Sequence, residues 1–159
     1  MPAVQVVDRT PVPPERVLEA ARDFSERRFE LWPDVHAEHF ALHRAGDGFA
    51  GVTEGNPWPI GPFWGRLRYD WSEPGSIKGV VIDSNVFKPG SRWELTATPA
   101  DGGSRVEVTM VREFKGLKGR VVGPIMIHTG LARRTTAGHL RHFLAQLEGQ
   151  ARDAAYASF

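Results

Sequence analysis

Phe63-Trp64-Gly65-Arg66-Leu67-Arg68-Tyr69-Asp70-Trp71 is the stretch that decides the fold class. Phe63, Leu67, Tyr69 and Trp71 alternate with Trp64, Arg66, Arg68 and Asp70, and a period of two marks a strand with one buried face. The pattern spreads outward from there. Upstream, His39 to Arg44, the turn Gly46-Asp47-Gly48 and then Phe49 to Glu54 read as a hairpin. His36 to Leu42 also holds good helix formers (Ala37, Glu38, Ala41 and Leu42), so helix and strand both stay open there. Gly55 to Pro62, rich in proline and glycine, predicts an irregular loop. Downstream, Ser72 to Ser76 turns and Ile77 to Phe87 gives the next strand. Lys88-Pro89-Gly90 turns again, and Trp93, Leu95 and Ala97 share an inner face. After the turn Asp101-Gly102-Gly103, the last strand puts Val106, Val108, Met110, Arg112 and Phe114 on one side.

Helices flank this run. Val4 to Val7 predicts a first strand, which Pro11, Pro13 and Pro14 end. Val17, Leu18, Ala21 and Phe24 then recur at helical spacing. Ser25 reads as the N-cap of a second short helix through Trp32, with Phe24 and Phe29 as its hydrophobic staple and Pro33 as its stop. From about Leu117 to Gln150 the pattern is one long helix, with Val122, Ile125, Met126, Thr129, Thr136, Leu140, Phe143, Leu144 and Leu147 on one stripe. Residues 150–159 read as a tail, so one domain is expected over 1–149.

Composition agrees with a folded chain. The 159 residues are 41% hydrophobic and 25% charged, which excludes a disordered polypeptide. Twenty Lys and Arg nearly balance 19 Asp and Glu, so no strong field drives whole-molecule binding to DNA or membranes. No cysteine is present, which excludes disulfides, thiolate nucleophiles and Cys-held metals. No membrane-span-length apolar run and no signal-peptide pattern appear, so a cytoplasmic setting is expected. Glycine-rich phosphate loops, a Gly-x-Ser-x-Gly elbow and a dinucleotide fingerprint are absent too, and no cofactor is expected.

The order is strand, two short helices, six antiparallel strands and a long helix, an α+β architecture. With Phe29-Glu30-Leu31-Trp32-Pro33-Asp34 and the hairpin after it, this order resembles the START-like superfamily, also called Bet v 1-like or SRPBCC, which includes polyketide cyclase/dehydrase-type proteins. The resemblance covers roughly residues 3–149 and lies in element order more than in a motif. It implies a helix-grip fold, a seven-stranded curved antiparallel sheet wrapped around the C-terminal helix with an apolar cavity between them. It further implies a hydrophobic or amphipathic ligand, lipid- or polyketide-like. An aromatase/cyclase- or dehydratase-like enzyme on the same cavity is the alternative.

Candidate ligand residues follow from facing. Tyr69, Trp71 and Trp93 share the inferred inner face, and Met110 and Arg112 lie on the last strand's inner side. A guanidinium buried without a partner costs several kcal/mol, so Arg112 calls for a carboxylate, such as Asp83, or a ligand anion. If the strand ends near Val111, it reaches solvent at the rim instead. Ile125, Thr129 and Thr136 lie on the helix stripe, and both hydroxyls either meet a ligand or bond back to the preceding turn. Trp58 to Trp64 reads as a lid over the cavity mouth or as a plug. His36, His39 and His43 share a face only if that segment is helical, so surface histidines are expected rather than a metal site. No acid falls between Glu113 and Glu148, while Lys115, Lys118, Arg120, Arg133, Arg134 and Arg141 do. That leaves an anionic partner at the C-terminal helix as a third reading, against a solvated face.

Overall fold

The structure, a computed structural model, describes residues 3–58 and 61–158. Seven strands form one antiparallel sheet: β1 (Ala3–Thr10), β2 (Ala41–Gly46), β3 (Phe49–Trp58), β4 (Gly61–Asp70), β5 (Ser76–Ser84), β6 (Arg92–Ala100) and β7 (Gly103–Val111). Their order across the sheet is β1-β7-β6-β5-β4-β3-β2, so the last strand closes back on the first and the rest run as a meander. The helices are α1 (Pro14–Ala21), α2 (Arg27–Leu31), α3 (Gly116–His128) and α4 (Leu131–Ala157).

Alternation builds the core. Leu67 and Tyr69 of β4, Ile77 and Val81 of β5, Leu95 of β6 and Val106 and Val108 of β7 face inward. Leu140, Phe143, Leu144 and Leu147 of α4 cover them. Each such side chain contributes about 1.5–3 kcal/mol by leaving water, and the sheet curves around α4 to achieve it. Thr10 donates to Glu148 at 3.0 Å and Arg141 pairs with Asp8 at 3.2 Å, tying α4 to β1. This is the curved sheet gripping a C-terminal helix that the family resemblance implies.

The structure corrects four local expectations. The proline-rich segment is a hairpin rather than an irregular loop: Gly55 pairs with Trp64, Asn56 with Phe63, Pro57 with Pro62 and Trp58 with Gly61. Trp71 donates to Gly48 across the same ladder, which puts every odd-numbered β3 residue at a pair without mutual hydrogen bonds. Pro57 and Pro62 fall on such a pair, where neither needs an N–H. The freed groups bond sideways, Trp64 N–H to Asn85 Oδ1 and His36 N–H to the Gly55 carbonyl. Whether this tip is lid or plug depends on Pro59, Ile60 and the Trp58 side chain, which lie outside the described residues.

Second, the long C-terminal helix is two helices. Gly130 takes φ +68°, the left-handed region that a side chain disfavours, and the chain turns there. The turn lets α3 set Gly119 and Gly123 against Phe114 while α4 keeps its own stripe on the sheet. Third, α4 runs to Ala157, so most of residues 150–159 are helical and exposed rather than a frayed tail. Fourth, α2 starts one residue later than expected, with Glu26 at its cap and Ser25 Oγ accepting from Arg27 N–H at 3.4 Å. Phe24 and Phe29 do not staple it: Phe24 packs on Tyr69 and Phe29 on Phe40. His36 to Leu42 resolves into a short 3-10 turn, Ala37–His39, followed by β2.

Candidate functional site

Between the sheet and α4 lies a cavity of two adjoining chambers. The inner one holds about 90 Å³ and is walled by Tyr69, Trp93 and Trp32 among others. The outer one holds about 300 Å³ and reaches Val4 of β1, Phe114, and Met126 and Ile127 of α3. Asp34, Phe87, Met110, Arg112, Thr136 and His139 border both, so they mark the passage between them.

The inner end is sealed by a polar knot. Arg28 of α2 is only 1% exposed, and its Nε and Nη2 each lie 2.8 Å from Oε1 of Glu54 on β3. Nη1 donates to the Ala21 carbonyl at 3.2 Å, and Nη2 also donates to the Tyr69 hydroxyl at 3.0 Å. Tyr69 in turn donates to Glu54 Oε2 at 3.0 Å and accepts from Trp93 Nε1 at 3.2 Å. Phe24 lies under the guanidinium, 4.4 Å from ring centroid to Cζ. Burial disfavours the Arg28 charge, but Glu54 and Tyr69 more than offset it, so the guanidinium titrates above its ordinary value. Burial, reinforced by Glu54, holds the Tyr69 hydroxyl far above the phenol range. Every strong group in the knot has its partners.

Arg112 has none. It follows the end of β7 at Val111, yet it keeps that strand's inward parity, because Phe87 and Phe114 extend the pairing beyond it. Its guanidinium sits 4.5 Å above the Phe87 ring. Among the described residues it makes no hydrogen bond or ion pair, and Asp83, the partner its spacing suggests, is exposed and pairs with Lys115 at 3.5 Å. Burial pulls its pKa below the ordinary guanidinium value, and the more distant charges of Asp34, Tyr69 and Glu54 only partly restore it. A second donor is also unmet: Trp32 Nε1 is buried in the inner wall without an acceptor among the described residues, its ring stacked on Phe143 at 4.4 Å. At the passage, His139 Nδ1 lies 3.9 Å from Asp34 Oδ1. Asn56 Nδ2 holds the Asp34 carbonyl at 3.1 Å, fixing that turn.

Of the residues singled out by sequence, Tyr69, Trp93, Met110, Arg112 and Thr136 stand together around the cavity. Thr136 donates to Ala132 O at 2.7 Å, the backbone alternative, with its hydroxyl 3.9 Å from Met110 Sδ. Three do not join them. Trp71 stacks on Phe24 at 6.0 Å, outside the cavity wall, because β4 ends at Asp70 and the chain turns away. Ile125 is 51% exposed on the outer side of α3, and the exposed Thr129 hydroxyl donates to the Ile125 carbonyl. Both were assigned inward by extending the α4 stripe through Gly130. His43 bonds Thr53 while His36 lies near Glu38, and among the described residues no three His, Asp or Glu gather as metal ligands.

Sequence reasoning missed Arg28, Glu54, Trp32, Asp34 and His139. The signals were present for three of them. Phe24, Arg28, Leu31 and Trp32 recur at helical spacing, and Ala50, Val52 and Glu54 share one strand face.

No family model and no curated protein matches the chain. Solved structures do, over nearly its whole length. The Zhui aromatase/cyclase from Streptomyces sp. R1128 is 14% identical over 96% of this chain and 97% of that one, with a TM-score of 0.78. A START superfamily protein from Mycobacterium smegmatis is 13% identical over 96% and 98%, with a TM-score of 0.68. A STAR-related lipid transfer protein from Xanthomonas axonopodis is 19% identical over 91% and 84%, with a TM-score of 0.69. Among the described residues no helix is long and apolar enough to cross a membrane. The chain therefore has the START/Bet v 1-like helix-grip fold, with its cavity between sheet and C-terminal helix.

Proposed function

We propose that the chain binds an amphipathic small molecule, lipid- or polyketide-like, whose apolar body fills the cavity and whose anionic or carbonyl head meets Arg112. The observation that carries this reading is the guanidinium itself: it borders both chambers and has no acceptor among the described residues. The guanidinium is half-buried and has given up part of its hydration for the Phe87 ring, and a ligand oxygen is the group that completes its hydrogen bonding. The unmet Trp32 N–H supports the same polarity, since it too asks for an acceptor. The chain's expected setting is the cytoplasm. Calorimetric titration with dodecanoate and with dodecanol tests the reading. Tighter binding of the acid by tenfold or more supports it, and equal affinities refute it.

An aromatase/cyclase- or dehydratase-like enzyme is the second reading, favoured by Asp34 and His139 standing beside Arg112 at the passage. Arg112 would stabilise an enolate and His139 would accept the proton removed to form it. Tyr69 is a poor candidate for that work, because its hydroxyl is already committed to Glu54, Arg28 and Trp93.

A further inference from the structure

We propose that the outer face of α3 is a docking surface for an anionic lipid bilayer. At 100° per residue, Leu117, Val121, Pro124, Ile125 and His128 fall in one stripe of the helix, opposite the glycines that rest on Phe114. Leu117 is 79% exposed, Val121 56% and Ile125 51%, values that burial in this chain does not explain. Arg120 borders the stripe on one side and Lys118 on the other, the latter reaching the Pro62 carbonyl at 3.4 Å. Beyond the turn at Gly130, Leu131 is exposed as well, at 43%, and Arg133 and Arg134 follow it.

An apolar stripe between cations is the pattern of a helix lying in a bilayer interface, with Leu and Ile in the acyl boundary and Lys and Arg at the headgroups. Charge selects the occupant. No acid falls between Glu113 and Glu148, so a second copy of this face would bring cation against cation, whereas anionic headgroups complement it. Position selects a membrane over an acidic protein. Met126 and Ile127, on the same helix, line the outer chamber, and Arg133 borders it. Met126 lines it from the side of α3 that faces away from the stripe, whereas Ile127, 45% exposed, lies nearer the stripe's Arg120 edge, so a bilayer on the stripe would lie beside the cavity's outer end. The inference concerns a surface, and it stands or falls apart from what Arg112 holds.

Flotation of the full chain with vesicles tests it. The expected result is binding to phosphatidylcholine vesicles holding about 30% phosphatidylglycerol, weak or no binding to phosphatidylcholine alone, and release in about 0.5 M salt. Removing both flanking cations (Lys118→Gln with Arg120→Gln) should weaken binding roughly 10- to 30-fold. Leu117→Gln with Val121→Gln should abolish it, and circular dichroism checks that these exposed changes leave the fold intact. Arg16→Gln with Arg22→Gln, an equal loss of charge on α1, should leave it in place. Absence of binding to the anionic vesicles, or equal loss in the α1 control, overturns the proposal. So does self-association of the wild-type chain that the stripe variant removes, because the face would then belong to a second copy.

Discussion

A single carboxylate oxygen, Oε1 of Glu54, lies 2.8 Å from both Nε and Nη2 of Arg28, while its sister oxygen accepts the Tyr69 hydroxyl. The pair is structural: Arg28 is deep, and the polar atoms of both side chains are saturated by one another, by Tyr69 and by backbone carbonyls. Glu54→Ala should therefore destabilise the fold by about 3–5 kcal/mol, because Arg28 stays buried with its charge uncompensated. Replacing all three polar groups together (Arg28→Met, Glu54→Leu and Tyr69→Phe) should cost much less than the sum of single changes. Urea melts of the wild type, Glu54→Ala, the three single variants and the triple variant measure both, and additive losses would mean that the three groups act independently.

Arg112 predicts the opposite sign. It has no carboxylate partner to strand, so Arg112→Leu should leave stability unchanged or raise it, by at most about 4 kcal/mol. The same change should erase the preference for dodecanoate over dodecanol. A stability loss above about 2 kcal/mol with the preference intact would make Arg112 a structural residue.

Tyr69 gives a pH signature. Its folded-state pKa is raised, mainly by burial, so the folded chain keeps a proton that the unfolded chain releases near pH ~10. The stability this contributes is full below that unfolded value and is lost as pH rises past it, by about 1.4 kcal/mol per unit. Tyr156, the other tyrosine, is 84% exposed. Melts of wild type and Tyr69→Phe from pH 9 to 11, with pH values taken as ~9 and ~11 endpoints around that reference, should show a steeper decline in the wild type. Parallel curves would contradict the assignment.

Gly79 on β5 leaves the space in which Tyr69 and Trp93 meet. A Cβ there would lie 2.8 Å from Trp93 Nε1 and 2.8 Å from Tyr69 Cε1. Alanine normally stabilises a strand relative to glycine by about 0.5–1 kcal/mol. Here overpacking against two anchored rings should reverse that, for a net loss of about 1–3 kcal/mol and an altered tryptophan emission. A gain in stability would show that the rings yield freely.

What was legible in the sequence was what period two and strand order control. Leu67, Tyr69, Leu95, Val106 and Val108 alternate as their sheet faces require, and even Arg112 beyond its strand's end follows that parity. Where the reading failed, a tertiary fact outweighed a local pattern. Pro57 and Pro62 look like strand breakers until they are set opposite each other, at a pair that needs no donor. Gly130 looks like a tolerated helix glycine, since the stripe on either side of it is apolar. Only Phe114, waiting for Gly119 and Gly123, requires the chain to turn there. Arg28 was hidden by its charge: a guanidinium reads as surface unless its partners, 26 and 41 residues further along, are already known to lie beside it.

That separation also orders events in time. Until β3 and β4 have paired, neither Glu54 nor Tyr69 is in place, and seating α2 would strand a bare cation among Phe24, Leu31 and Trp32. The expected order is that the rate-limiting barrier is crossed with the hairpin formed and α2 still in water. Conservative substitutions in β3 and β4 should accordingly slow refolding, while those in α2 should mainly quicken unfolding, a contrast that φ-values from paired chevron plots would read directly.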